Sequence, residues 1–187
     1  MIIGLCGFKG SGKSEAAKYI AENYKFKRVN FKDALVEEVK ERFPDLVLAI
    51  IHTMDKVAYD GTNAWTFESL VQKKPALMRA LLQNYGTEVR RTDDKDYWVK
   101  QWIHKVKETK GNIVTDDVRF YNELSALTEE NGVLIRIINT DVTSGGSHSS
   151  EKEQEKFIED FTVTATSGDI ASIHSQIDSI INHIKAD

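Results

Sequence analysis

The stretch Met1-Ile2-Ile3-Gly4-Leu5-Cys6-Gly7-Phe8-Lys9-Gly10-Ser11-Gly12-Lys13-Ser14 sets the fold of this chain. Its first six residues are continuous and apolar and run into glycine, the pattern of a short buried strand in the middle of a parallel sheet. The next eight match G-x-x-x-x-G-K-[ST] at every fixed position, between an expected strand and an expected helix. Glycines at these points let consecutive backbone N–H groups converge on phosphate oxygens, and a helix starting near Lys13 turns the positive end of its dipole toward them. Gly7, Lys9, Gly10, Ser11, Gly12, Lys13 and Ser14 are therefore the expected nucleotide-binding residues. Lys13 would reach the β and γ phosphates of ATP, and Ser14 would give its hydroxyl to Mg²⁺.

Outward from this loop, strands and helices alternate. Ala16, Ala17 and Ile20 recur at helical spacing, and Phe26 to Phe31 reads as a second strand. Asp33 is placed to cap a helix running to Phe43, with Pro44 stopping it, and a largely helical stretch follows from Leu46 to Gln101, interrupted near Gly61 and Pro75. Asn112 to Asp116 is a third strand, Phe120 to Glu130 a helix closed by Asn131-Gly132, and Val133 to Ile138 a fourth strand. After the linker Thr143-Ser144-Gly145-Gly146-Ser147 comes an expected charged helix from Ser150 to Glu159, then a fifth strand at Phe161 to Thr164. Ile170, Ile173, Ile177, Ile180, Ile181 and Ile184 stripe a last helix. The pattern predicts an α/β fold whose largely parallel sheet gathers ligands at the carboxyl ends of its strands.

One such end carries Asp116-Asp117, where a carboxylate can hold Mg²⁺; either acid fits, or both simply terminate the strand. Arg79, Arg90, Arg91 and Arg119 are candidates for charge work on a moving phosphoryl group, and Arg119 stands two residues past the acid tip. A guanine-reading Asn-Lys-x-Asp element is absent, and the acidic pair lacks the glutamate of a mechanical ATPase. A transferase fits better.

Composition narrows the class further. The chain has 187 residues, 41% of them hydrophobic, enough for one domain with insertions. With 25 Lys and Arg against 29 Asp and Glu, the net charge of -4 has the wrong sign for holding nucleic acid. Cys6 is the single cysteine, so no disulfide framework or thiolate metal site can form, and a packing role in a reducing cytoplasm is expected. No segment approaches the roughly 20 apolar residues that span a bilayer, so no membrane partner is expected.

These residues resemble the bacteriophage-type deoxynucleoside monophosphate kinases, a branch of the P-loop nucleoside monophosphate kinases. The likeness is carried by Gly7 to Ser14, Phe31-Lys32-Asp33-Ala34-Leu35, the block from Arg79 to Glu88, Tyr97-Trp98-Val99-Lys100 and Asp117-Val118-Arg119-Phe120. It implies a P-loop kinase fold: a parallel five-stranded sheet flanked by helices, with a helical acceptor-binding insertion and a lid. In this chain the core would be 1–31, 108–138 and 159–187, the acceptor region 32–107 and the lid 139–158. The resemblance further implies ATP, Mg²⁺ and a nucleoside monophosphate as ligands, with catalysis by Lys13, Asp117 and Arg119, metal held by Ser14 and Asp117, and an acceptor site of Asp33, Arg79, Gln83 and Arg91. A cytoplasmic location follows, the host's cytoplasm for a phage-encoded chain, and a homodimer is compatible. A side-chain amide such as Gln83 can pair with a base edge, and arginines contact phosphate in bidentate fashion. Trp98 either stacks on a base or packs in the core.

The chain departs from the family pattern in two places. Ser147-His148-Ser149-Ser150-Glu151 lacks the first acid of the lid's Asp-His-x-Ser-Glu, and the terminal Asn-x-Gly is altered around Ala165 to Gly168. No arginine lies between Asn139 and Glu151, so Lys152, Lys156 or Arg136 substitutes, or the lid contributes mainly water exclusion. Two other readings stay open: a kinase of another small acceptor such as dephospho-coenzyme A, and a non-catalytic nucleotide-sensing module.

Overall fold

A computed structural model of the chain describes residues 1–57, 64–142 and 153–186. It divides into two units, 1–31 with 101–187, and 32–100. In the first unit, β1 (Ile2–Cys6), β2 (Lys27–Arg28), β3 (Ile113–Thr115), β4 (Val133–Asn139) and β5 (Phe161–Ala165) form one sheet in the order β2-β3-β1-β4-β5. Every pairing is parallel. Parallel neighbours need crossover connections, and helices supply them: α1 (Lys13–Tyr24) after β1, and α8 (Tyr121–Glu129) between β3 and β4. Ile3, Leu5 and Cys6 of the central strand are fully buried, as a strand covered on both faces requires. Ile3 and Leu5 share one core cluster with Ala16, Ala17 and Ile20 of α1 and with Ile173, Ile177 and Ile181 of the last helix, α9 (Ile170–Ala186). The architecture is the α/β fold expected from the sequence, a parallel five-stranded sheet flanked by helices.

The expected second strand is cut to two residues by side chains that take over its backbone partners. The Val29 carbonyl accepts from Thr115 Oγ1 at 2.6 Å and Trp102 Nε1 at 3.1 Å. The Asp116 N–H donates to Asn30 Oδ1 at 2.8 Å, so the sheet edge closes through side chains here. The helix that follows, α2 (Phe31–Arg42), begins two residues before Asp33, and its first N–H donates to Asp117 Oδ1 at 3.1 Å. Asp33 therefore lies in the first turn of α2 rather than at its cap. Of the charged helix expected over 150–159, residues 150–152 lie outside those described; among the rest Glu153 and Gln154 are helical, and 155–159 are turn and irregular chain.

The second unit is helical: α2 from Lys32 onward, α3 (Pro44–Val57), α4 (Phe67–Lys73), α5 (Ala76–Gln83), a π-helical segment (Asn84–Arg90), α6 (Arg91–Asp93) and the first turn of α7 (Tyr97–Glu108). Pro44 opens α3, where its missing N–H would have had no acceptor anyway. Val39, Val47, Ile50, Leu70, Met78, Tyr85 and Trp98 form its core. Trp98 is buried there with its indole N–H on the Gly86 carbonyl at 2.9 Å, so it packs rather than offering a stacking face.

A polar hub ties α2 to the π-helical segment and α7. Glu38 accepts from Tyr85 Oη at 2.7 Å, from Arg90 Nε at 3.0 Å and Nη2 at 2.9 Å, and from Tyr97 Oη. Arg90 also lies over the rings of Tyr85 and Tyr97. Burial pushes the Glu38 carboxyl up, but the donors Tyr97, Tyr85 and Arg90 outweigh it and hold it below the ordinary glutamate value of 4.5. A carboxylate depressed in the folded state contributes stability that is present above about pH 4.5 and lost as pH falls through its lower folded value. Glu38→Gln is expected to lower stability at pH 7 by about 2 kcal/mol, since three donors lose a charged acceptor. Thermal unfolding between pH 7 and pH 3 checks this: the gap between wild type and variant narrows in acid, and a gap independent of pH contradicts the assignment.

Candidate functional site

The loop from Gly7 to Gly12 leaves the carboxyl end of β1 and feeds α1. Gly12 is the residue before the helix and has φ 101°, a left-handed conformation that costs glycine nothing. Gly7 has φ 138°, and a Cβ on it would meet the Ile137 carbonyl oxygen at 2.2 Å, so the chain passes β4 with no room for a side chain. Within the loop the Ser11 N–H closes a turn on the Phe8 carbonyl at 3.1 Å, and Ser11 is buried. Lys13 Nζ donates to the carbonyls of Gly7 and Phe8, both at 2.7 Å, and lies 3.4 Å from Ser11 Oγ. The ammonium is thus held over the mouth of the loop. Lys9, Gly10 and Ser14 are exposed at its rim.

Because the sheet is parallel, the chain ends leaving β3, β4 and β5 open on the same edge as this loop. After β3, Asp116 is buried and ion-paired with Arg28 Nη2 at 2.6 Å, whereas Asp117, also buried, receives the Phe31 N–H. The two acids that sequence left as alternatives therefore have different partners. Arg119 is exposed, and its N–H donates to the buried Glu123 carboxylate at 2.7 Å, which fixes the start of α8. After β4 and β5, Asn139 Nδ2 donates to the Gly10 carbonyl at 3.2 Å and to Ser167 Oγ at 3.0 Å, while the Ser167 N–H donates to Asp141 at 2.8 Å. The donation from Ser167 holds the Asp141 carboxyl below its usual range. The altered terminal motif is therefore tied to the phosphate loop through Asn139, a contact sequence reasoning missed.

Arg136, one of the expected substitutes for a lid arginine, is committed elsewhere. Its Nε pairs with Glu159 at 2.9 Å and its Nη2 donates to the carbonyls of Gln154 and Phe157, each at 3.0 Å. It is a structural clamp on the chain leaving residues 153–159. Lys152 and His148 lie outside the described residues. Burial pushes the Cys6 thiol up to about 11, so it stays protonated and packs as an apolar group.

In the helical unit, Arg79 and Gln83 share the exposed side of α5. Asp33 is half-buried in the first turn of α2, and Arg91 is half-buried where the π-helical segment ends. The opposite side of α5 contributes Leu77 and Leu81 to an apolar groove of about 410 Å³ shared with Leu46, Ala49, Ile50 and Thr53 of α3. Arg79 and Gln83 do not line that groove. Among the described residues no helix is long and apolar enough to cross a membrane.

Comparison with known proteins supplies the family. The family model for deoxynucleotide monophosphate kinase matches residues 34–177, which begins beyond the phosphate loop and takes in parts of both units. A protein of Acanthamoeba polyphaga mimivirus, named "Putative deoxynucleotide monophosphate kinase", is 28% identical over 189 residues, 98% of this chain and 97% of that protein. Among solved structures, shikimate kinase from Aquifex aeolicus aligns at a TM-score of 0.45 and 13% identity, covering 100% of this chain and 97% of that one. Shikimate kinase from Bacteroides thetaiotaomicron aligns at 0.44 and 13%, covering 99% and 98%. The chain belongs to the deoxynucleotide monophosphate kinase family, a family of nucleotide kinases.

Proposed function

We propose that this chain transfers the γ-phosphoryl group of ATP to the phosphate of a (deoxy)nucleoside 5′-monophosphate, giving ADP and the nucleoside diphosphate. The observation that carries this is the complete phosphate loop at the end of β1, with Lys13 held across its carbonyls and Asp117 at the end of the neighbouring β3. An oxygen of the acceptor phosphate forms the new bond to the γ-phosphorus as the bond to the β,γ-bridging oxygen breaks, and the electron pair leaves with ADP. No protein nucleophile is needed; positioning and charge stabilisation do the work.

Gly7, Lys9, Gly10, Ser11, Gly12, Lys13 and Ser14 hold the ATP phosphates in this reading. Lys13 moves its donors from loop carbonyls toward phosphate oxygens, and Arg119 adds charge at the rim. Ser14 and Asp117 are the residues that would hold Mg²⁺, which when bound neutralises phosphate charge. Arg79, Gln83, Asp33 and Arg91 receive the monophosphate. A non-catalytic nucleotide sensor is the second reading, supported by the commitment of Arg136 to Glu159 and two carbonyls, which removes one candidate for the lid cation.

Lys13→Met is expected to cut kcat/KM by at least about 100-fold, or roughly 3 kcal/mol of transition-state stabilisation, with thermal stability nearly unchanged. A coupled ADP-release assay measures it, and near wild-type turnover contradicts the assignment.

Asn at position 117 keeps an oxygen for the Phe31 N–H but loses the charge, so Asp117→Asn is expected to raise the Mg²⁺ concentration needed for half-maximal turnover and to lower kcat. Titration of Mg²⁺ against initial rate tests this. If Asp116→Asn alone disturbs metal dependence, the metal carboxylate is Asp116.

For the acceptor, Arg79→Ala is expected to raise KM about tenfold for every monophosphate, whereas Gln83→Ala reorders preference among bases. Steady-state kinetics with the common monophosphates decides; unchanged acceptor constants in both variants remove α5 from the site.

A further inference from the structure

We propose that Gln154 is a positioning residue of the phosphate loop: its side-chain oxygen, by accepting the Gly7 N–H, holds the loop in the shape that receives the phosphates of ATP. The inference rests on the phosphate-loop reading above.

Gly7 N donates to Gln154 Oε1 at 3.0 Å across 147 residues of sequence. Both residues are buried, and Gln154 is only 3% exposed. The other face of the same residue is also engaged, since the Gly7 carbonyl accepts from Lys13 Nζ at 2.7 Å. Gly7 is therefore gripped at both polar atoms, at the point where the chain passes the Ile137 carbonyl oxygen and turns into the loop.

Gln154 is itself anchored. Its own carbonyl accepts from Arg136 Nη2 at 3.0 Å, Arg136 pairs with Glu159 at 2.9 Å, and neighbouring Glu153 accepts the Tyr121 N–H at 3.1 Å. Arg136 stands on β4 immediately before Ile137, so the clamp on Gln154 and the wall against Gly7 come from the same strand. The side chain is fixed from both ends, by β4 through its backbone and by Gly7 through its amide oxygen.

A buried N–H without an acceptor is costly, so loss of the Gln154 oxygen forces the Gly7 peptide to seek another partner and turns Phe8 to Gly12 with it. Those are the residues whose backbone faces the nucleotide phosphates in the proposed function. The expected result is weakened ATP binding with the acceptor constant unchanged, a split that general loss of packing does not produce.

The test measures MgATP binding to the full chain by isothermal titration calorimetry with no acceptor present, alongside hydrogen exchange of the Gly7 amide by NMR. Q154M keeps the volume but has no oxygen at this reach, and is expected to bind MgATP about tenfold more weakly and to lose Gly7 protection. Q154E retains an oxygen acceptor and is expected to restore the protection of the Gly7 amide, while its added negative charge weakens MgATP binding by repulsion. Should Q154M fail to fold, Q154N, polar but one methylene short, is expected to show the same losses. Wild-type affinity in Q154M or Q154N overturns the proposal, as does a loss of Gly7 protection in Q154E equal to that in Q154M. A wild-type chain that binds no MgATP overturns the phosphate-loop reading and this proposal with it.

Discussion

The turn out of β1 passes so close to β4 that no side chain fits: a Cβ on Gly7 would stand 2.2 Å from the Ile137 carbonyl oxygen and 2.9 Å from Ser11 Oγ. This close approach links the sheet to the loop. It holds only if β4 lies beside β1, which the parallel register Gly4 with Leu134 and Cys6 with Arg136 provides. It also delivers the chain to Gly12, whose left-handed backbone starts α1 and aims the helix N-terminus at the loop. With β3 on the other side of β1, the acids at 116 and 117 and the basic Lys13 come to the same edge of the sheet. In the proposed function this is the edge that receives the triphosphate.

What sequence revealed of this fold was local. The apolar run of β1, the glycine loop, the start of α1 and the isoleucine stripe of α9 each announce themselves within one short continuous stretch, and each lies where the pattern places it. The features that escaped depend on partners far away in sequence. β2 is short because Trp102 and Thr115 occupy the Val29 carbonyl, and nothing in Phe26 to Phe31 signals those donors. Gln154 sits among Glu153, Glu155 and Lys156, a composition that reads as a solvated helix face, yet it is buried on the loop. The π-helical segment at 84–90 adds a residue to a turn without any change in hydrophobic pattern large enough to notice.

The candidate site was legible to a different degree in each unit. The loop motif names its own residues, and the geometry gives them defined partners: Lys13 on two carbonyls and Ser11 in the turn, with Asp117 beyond β3 on the Phe31 amide. In the helical unit, spacing alone put Arg79 and Gln83 on one side of α5, and they do share its exposed side. Spacing could not show that Glu38 collects Tyr85, Tyr97 and Arg90 into a hub, because those residues lie 47 to 59 positions away from it. That hub takes Arg90 out of the set of arginines able to meet a ligand and fixes the end of the π-helical segment, next to Arg91.

Movement of a phosphoryl group between nucleotides by the wild-type chain, the activity proposed above, is followed by label transfer. Incubating the chain with Mg²⁺, γ-³²P-labelled ATP and each common deoxynucleoside monophosphate in turn, then separating the nucleotides, follows the group itself. Label is expected in the diphosphate of at least one deoxynucleoside, formed in equal amount with unlabelled ADP. Label that remains in ATP with every monophosphate, or appears only as inorganic phosphate, would contradict that activity.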